Sequence, residues 1–248
     1  MGMGRRGFLT GTAAIAAATS IGSAEEKKVR RDVPGDISNG KLKHLLSAVE
    51  HLPYLACFED ASGDDMDYLG RRISRGLGMV SCATFRNPEA HLEIMAHAHK
   101  SKQPVYIMGF GDGAKYATMA ANKSGKPVRM LSLFDPDGIA DSMMEPVPGN
   151  VLILDVYCSG DVKDRGRAPG TKYFKNKGQK TVSFYEKHRG ASHGDILWNE
   201  RVVLSAGLTV RADLIDIEIE KAREKARERL KEGPPKRRRC TDPTHFNA

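Results

Sequence analysis

The stretch IMGFGDGAKYATMAA, residues 107–121, opens as an apolar run and closes as a run of small residues at helical spacing. Between the two stand Gly109, Gly111 and Gly113, three glycines within five residues. An apolar run of strand length that passes through a glycine turn straight into a helical pattern reads as half of a β-α-β unit. The same alternation continues on both sides. PYLACFED (53–60), GMVSCATF (78–85), PVYIMGF (104–110), PVRMLSLFD (127–135), NVLILDVYCSGD (150–161) and the weaker KTVSFYEKH (180–188) read as strands. KLKHLLSAVEHL (41–52), DDMDYLGRRISRGLG (64–78), PEAHLEIMAHAHKSK (88–102) and GAKYATMAANKSG (113–125) read as helices, and DILWNERVVLSAGL (195–208) includes a closing one. Short strands alternating with longer helices predict an α/β fold, a three-layer α/β/α arrangement around a mostly parallel sheet. VYIMGF and VLILDVY are apolar almost throughout, as strands covered on both faces must be.

The bulk composition sets limits around this frame. The chain has 248 residues, 40% hydrophobic and 28% charged, which is ordinary for a globular protein. Its formal net charge of +8 is carried partly by the first residues and partly by the tail, so the folded body is only mildly basic and nucleic acid is not an expected partner. Cys57, Cys82, Cys158 and Cys240 show no C-x-x-C spacing, which leaves zinc-ribbon and thioredoxin-like chemistry without support and gives no disulfide pairing. His91, His97 and His99 are spaced six and two apart, which does not put them on one helix face, so no metal site is expected there. No cofactor is expected.

Residues 1–24, MGMGRRGFLTGTAAIAAATSIGSA, carry Arg5 and Arg6 ahead of a small and apolar run with no charge until Glu25. The run ends in Gly-Ser-Ala, suited to cleavage after Ala24. This layout resembles a twin-arginine signal peptide, with Gly4 where a serine or threonine usually precedes the arginines. The resemblance implies export to a periplasm or beyond the cell. After cleavage no segment is apolar and long enough to span a membrane.

The turn at Gly111 has a chemistry of its own. A strand, then G-x-X-x-G, then a helix is the layout of a nucleophile elbow. The central side chain must stand on a strained turn above the sheet, so the residues two before and two after it must be tiny. Gly109 and Gly113 meet that demand. The next residue, Asp112, would offer its backbone N–H to a developing oxyanion. The same glycines come close to a dinucleotide fingerprint, with Ala114 at the third glycine position. Against that reading, the turn follows the third strand rather than the first. The acid about twenty residues on is Asp135, in the turn Asp-Pro-Asp-Gly.

Later strands offer partners in order. Asp161 lies just beyond NVLILDVYCS, and His193 lies in GASHGDI before the closing helix. Positions 111, 161 and 193, with Asp135-Pro136 after the fourth strand and His193-Gly-Asp195, resemble the α/β-hydrolase superfamily, particularly its lipase- or thioesterase-like members. The resemblance covers residues 50–208 and implies a nucleophile at 111, an acid and His193 as the base. The chain departs from it at the centre, because Gly111 has no side chain. The expectation is therefore an exported hydrolase-like protein with a degenerate elbow, catalytically impaired and able to serve as a binding module. Two alternatives stand beside it: an ester, thioester or lipid hydrolase using His193 and Asp161, and a non-enzymatic interaction protein. Asp155 and Asp135 are rivals to Asp161 for the partner of His193, and His193 and Asp161 also fit ordinary turn chemistry. The partner class this resemblance implies is a small-molecule or lipid-like ligand.

These readings divide the chain into a signal peptide (1–24), a linker (25–40), a hydrolase-like domain (41–210), a charged helix (211–233) with a narrow apolar stripe, and a disordered basic tail (234–248) with KRRR at 236–239. Substrate and oligomeric state are not written in the sequence.

Overall fold

The computed structural model describes residues 37–60, 65–136, 149–159, 182–188 and 192–231. The chain divides into a unit that runs to Leu197 and a second from Trp198 onward. The first holds α1 (Asn39–Ala48), β1 (Tyr54–Glu59), α2 (Asp65–Leu77), β2 (Val80–Phe85), α3 (Glu89–Lys100), β3 (Val105–Phe110), α4 (Gly113–Ser124), β4 (Val128–Phe134), β5 (Val151–Ser159) and β6 (Val182–His188). The six strands form one sheet in the order β2-β1-β3-β4-β5-β6, and each neighbouring pair is parallel. Each expected strand is present, and so is the three-layer α/β arrangement.

The faces the helices cover follow from strand order and handedness together. A parallel crossover is right-handed, so a connection that moves one way across the sheet puts its helix on one face and a connection moving back puts its helix on the other. The chain steps outward from β1 to β2 through α2, then returns past β1 to β3 through α3 and continues to β4 through α4. Helix α2 accordingly packs on β1 and β2, while α4 packs on β1, β3 and β4 together with α3 and, through α3, α1. Covered from both sides, β1 and β3 are buried along their whole lengths. The reversal of direction falls between β1 and β3, and at such a switch point the carboxyl ends of adjacent strands open a crevice.

Local chemistry places the helix ends. Ser38 caps α1 by accepting from the Lys41 N–H at 3.3 Å, so α1 begins inside the stretch read as a linker. Gly125, at φ 58°, closes α4 in the left-handed conformation. In the second unit a short 3-10 turn (Ile196–Trp198) overlaps its start, and α5 runs unbroken from Glu200 to Lys231. It passes straight through position 210, where the sequence suggested a boundary between a closing helix and a separate charged one. No described helix is long and apolar enough to cross a membrane.

The histidines of α3 have separate employments. His91 is fully buried, with its Nδ1 2.7 Å from the Tyr54 hydroxyl and its Nε2 2.8 Å from Thr84 Oγ1. His97 faces Glu50 at 3.2 Å. Burial pushes the His91 imidazole from 6.5 down to about 3. Its native state therefore takes up its proton far later than the unfolded chain does. Stability is expected to fall as pH drops from 6.5 toward about 3, by up to about 1.4 kcal/mol per pH unit from this residue alone. Denaturant unfolding at several pH values checks this. His91→Gln, which can still pair with both hydroxyls, should flatten the slope in that window.

Candidate functional site

The elbow has the backbone the sequence asked for. Gly111 sits at φ 52°, a left-handed conformation that costs a residue with a side chain free energy. A Cβ on Gly109 would come within 2.7 Å of the Ala114 Cα and the Ala117 Cβ. A Cβ on Gly113 would run into the Phe58 carbonyl at the end of β1. Both neighbours are backbone or fixed helix atoms, so neither contact can be relieved by rotating a side chain. The start of α4 thus lies hard against the carboxyl end of β1.

That closeness brings in a residue the sequence did not single out. Asp60, one position past β1, reaches over Gly111: a Cβ built there would stand 2.8 Å from the Asp60 Cγ and Oδ2. A carboxylate occupies the room a nucleophile side chain would need. Asp60 Oδ2 also lies 3.3 Å from His193 Nε2, the nitrogen that a catalytic hydroxyl would otherwise face.

The other ring nitrogen meets one of the three acids the sequence offered. His193 Nδ1 lies 2.7 Å from Asp135 Oδ2. Asp135 follows β4, is 1% exposed and takes a left-handed φ of 45°, a conformation that aspartate tolerates better than most residues. Its N–H donates to the Tyr157 carbonyl at 2.6 Å. Its carboxylate accepts from the Ser159 hydroxyl at 2.7 Å and from the Ser159 N–H at 3.3 Å. Adjacent β5 therefore fixes the carboxylate that orients the imidazole. Asp155, the rival inside β5, is buried and receives the Tyr157 hydroxyl at 3.3 Å. Asp161 lies outside the described residues.

Phe110 completes the seat, its ring stacked on the His193 ring at 4.7 Å and 23°. Asp112 turns its carboxylate outward to Arg86 at 2.6 Å, while its N–H stands at the first turn of α4, where backbone donors have no partner within the helix. His193 is not a helix cap; its ring bridges two carboxylates carried by two different strand ends. Burial works against its cation, but hydrogen bonds to Asp135 and Asp60, and the charges of both, outweigh that and raise its pKa above the ordinary 6.5. As the imidazolium it donates from both nitrogens. The sign is that of a raised base: the stabilisation is complete below pH 6.5 and fades as pH climbs through the raised value.

No family model matches the sequence, and no curated protein does. Among solved structures, the chain is similar to esterase PE8 (13% identity, 64% of this chain and 92% of that one, TM-score 0.44). It is likewise similar to Est1E from Butyrivibrio proteoclasticus (11% identity, 67% and 90%, TM-score 0.44) and to human thioesterase 2 (13% identity, 65% and 95%, TM-score 0.42). What the site can do must be read from its own atoms.

Ring-proton NMR of His193 tests the two-carboxylate bridge. Asp135→Asn and Asp60→Asn should each lower its titration midpoint. A midpoint indifferent to Asp60→Asn would remove Asp60 from the site.

Proposed function

We propose that this chain is an exported hydrolase-like protein whose elbow binds rather than cuts. One observation carries the reading: the Asp60 carboxylate takes both the space above Gly111 and the Nε2 of His193. Serine-type acyl transfer needs a hydroxyl at that point and a neutral imidazole to receive its proton. Here there is no hydroxyl, and the imidazole is held toward its cationic form. What survives is a charged floor at the carboxyl edge of the sheet: Asp60, His193 and Asp135. Such a floor can orient a polar group of a small-molecule or lipid-like ligand without forming a covalent bond to it.

Hydrolysis of short p-nitrophenyl esters tests the reading. The parent should be no faster than His193→Ala. Gly111→Ser alone should stay inactive, because Asp60 occupies the space its side chain needs. Gly111→Ser combined with Asp60→Gly clears that space and frees Nε2, and should yield His193-dependent turnover at least about 100-fold above the parent. Parent activity lost with both His193→Ala and Asp60→Asn would overturn the binding reading and make Asp60 the attacking group.

The export half of the proposal rests on Arg5, Arg6 and the apolar run behind them. A fusion of residues 1–30 to a reporter that must fold before export should cross the inner membrane, and Arg5→Lys with Arg6→Lys should stop it.

A further inference from the structure

Helix α5 has two apolar faces, and only one is covered. At 100° per residue, Val202, Val203, Ala206 and Val210 gather on one side, and all four are buried. On the opposite side Leu204, Leu208, Ile215, Ile219 and Leu230 fall within an arc of about 80°, and they are 60%, 60%, 50%, 42% and 82% exposed. Ala212, Ala222 and Ala226 fill the gaps in the same arc, and all three are exposed. The stripe from 204 to 230 is about 39 Å long at 1.5 Å per residue. Single exposed leucines need no explanation, but a continuous seam of this length does.

The charges beside the seam say what fits it. Asp216 and Arg223 lie on one flank of the stripe, at about 120° and 100° from Leu204, and Glu218 and Lys225 lie on the other, at about 320° and 300°. All four are exposed. In an antiparallel pair of identical helices related by a two-fold axis, residues on the same flank meet. Asp216 of one copy then faces Arg223 of the other, and Glu218 faces Lys225. The same register, centred between residues 220 and 221, sets Ile219 against Ala222 and Ile215 against Ala226, large against small. In a parallel pair opposite flanks meet with an offset of about five residues, which sets Glu218 against Arg223, so charge suits that pairing as well. Parallel pairing, however, stacks each residue on its own copy, Ala222 on Ala222 and Ala226 on Ala226, and leaves those layers underfilled.

We infer that the exposed face of α5 is a docking surface for a second copy of this chain, paired antiparallel through Ile215, Ile219, Ala222 and Ala226. The seam is narrow and half alanine, so the dimer belongs to the weak class of small interfaces.

Sedimentation equilibrium on the full chain tests this, under reducing conditions so that Cys240 cannot link copies. A species of twice the 27.2 kDa chain mass should grow in across about 1–100 µM. Ile219→Lys, at an exposed position, should leave circular dichroism unchanged and raise the dissociation constant at least about tenfold. Asp216→Lys/Glu218→Lys and Arg223→Glu/Lys225→Glu should each be monomeric alone and should pair when mixed. A chain that stays monomeric throughout overturns the inference and leaves the stripe to a different partner. A dimer indifferent to Ile219→Lys, or charge variants that fail to pair on mixing, overturns it as well.

Discussion

The site depends on how closely helix α4 can start against the end of β1. Gly113 has no Cβ, and the Phe58 carbonyl fills the space where one would be. The contact is with backbone, so it cannot be relieved by a side-chain rotation; any larger residue would have to push the helix off the strand. Because the two elements touch there, the residue after β1 lies over Gly111, two positions before α4. That is why Asp60 reaches Gly111 at all. Gly109 has the same role at the end of β3, against Ala114 and Ala117. The elbow is thus a product of two close approaches, and its left-handed central glycine is the position left between them.

Electrostatics then decides what that geometry is for. An imidazole oriented by one buried carboxylate is a base in waiting. An imidazole bridged by two is an ion pair: the second carboxylate stabilises its cation and occupies the nitrogen that should accept a proton. Asp135 has its own support from Ser159 and the Tyr157 carbonyl, and Phe110 covers the ring face, so the imidazole has few other ways to turn. In the proposed reading, the arrangement exchanges proton-accepting power for a fixed pattern of donors and acceptors at the carboxyl edge of the sheet.

Much of the frame was legible before any coordinates. Periodicity alone separated PVYIMGF from GAKYATMAANKSG, because a strand covered on both faces and a helix covered on one carry different apolar repeats. The tiny residues at 109 and 113 were legible because their constraint spans only a few positions of chain. The partner of His193 was not. Asp135 in DPDG and Asp161 in SGD both read as turn acids, and only the lateral contact of β4 with β5, through Ser159, picks out Asp135 as the residue holding Nδ1. Asp60 was invisible for a related reason: β1 and β3 are neighbours only because the chain reverses direction across the sheet, a fact of strand order rather than of spacing. The seam on α5 was half visible. A narrow apolar stripe on a charged helix was legible, but which residues form it became clear only once the helix proved continuous from Glu200.

The sequence by itself determined the alternation of strands and helices, the parallel three-layer frame and the glycine turn, because each rests on interactions between residues near one another in the chain. Tertiary structure alone decided which carboxylates meet His193 and what stands over Gly111. Those contacts join positions 60, 111, 135 and 193, and no local preference encodes a meeting between them. They follow from the strand order, which sets β1 beside β3 and β4 beside β5, and from a missing Cβ at Gly113, which sets the distance.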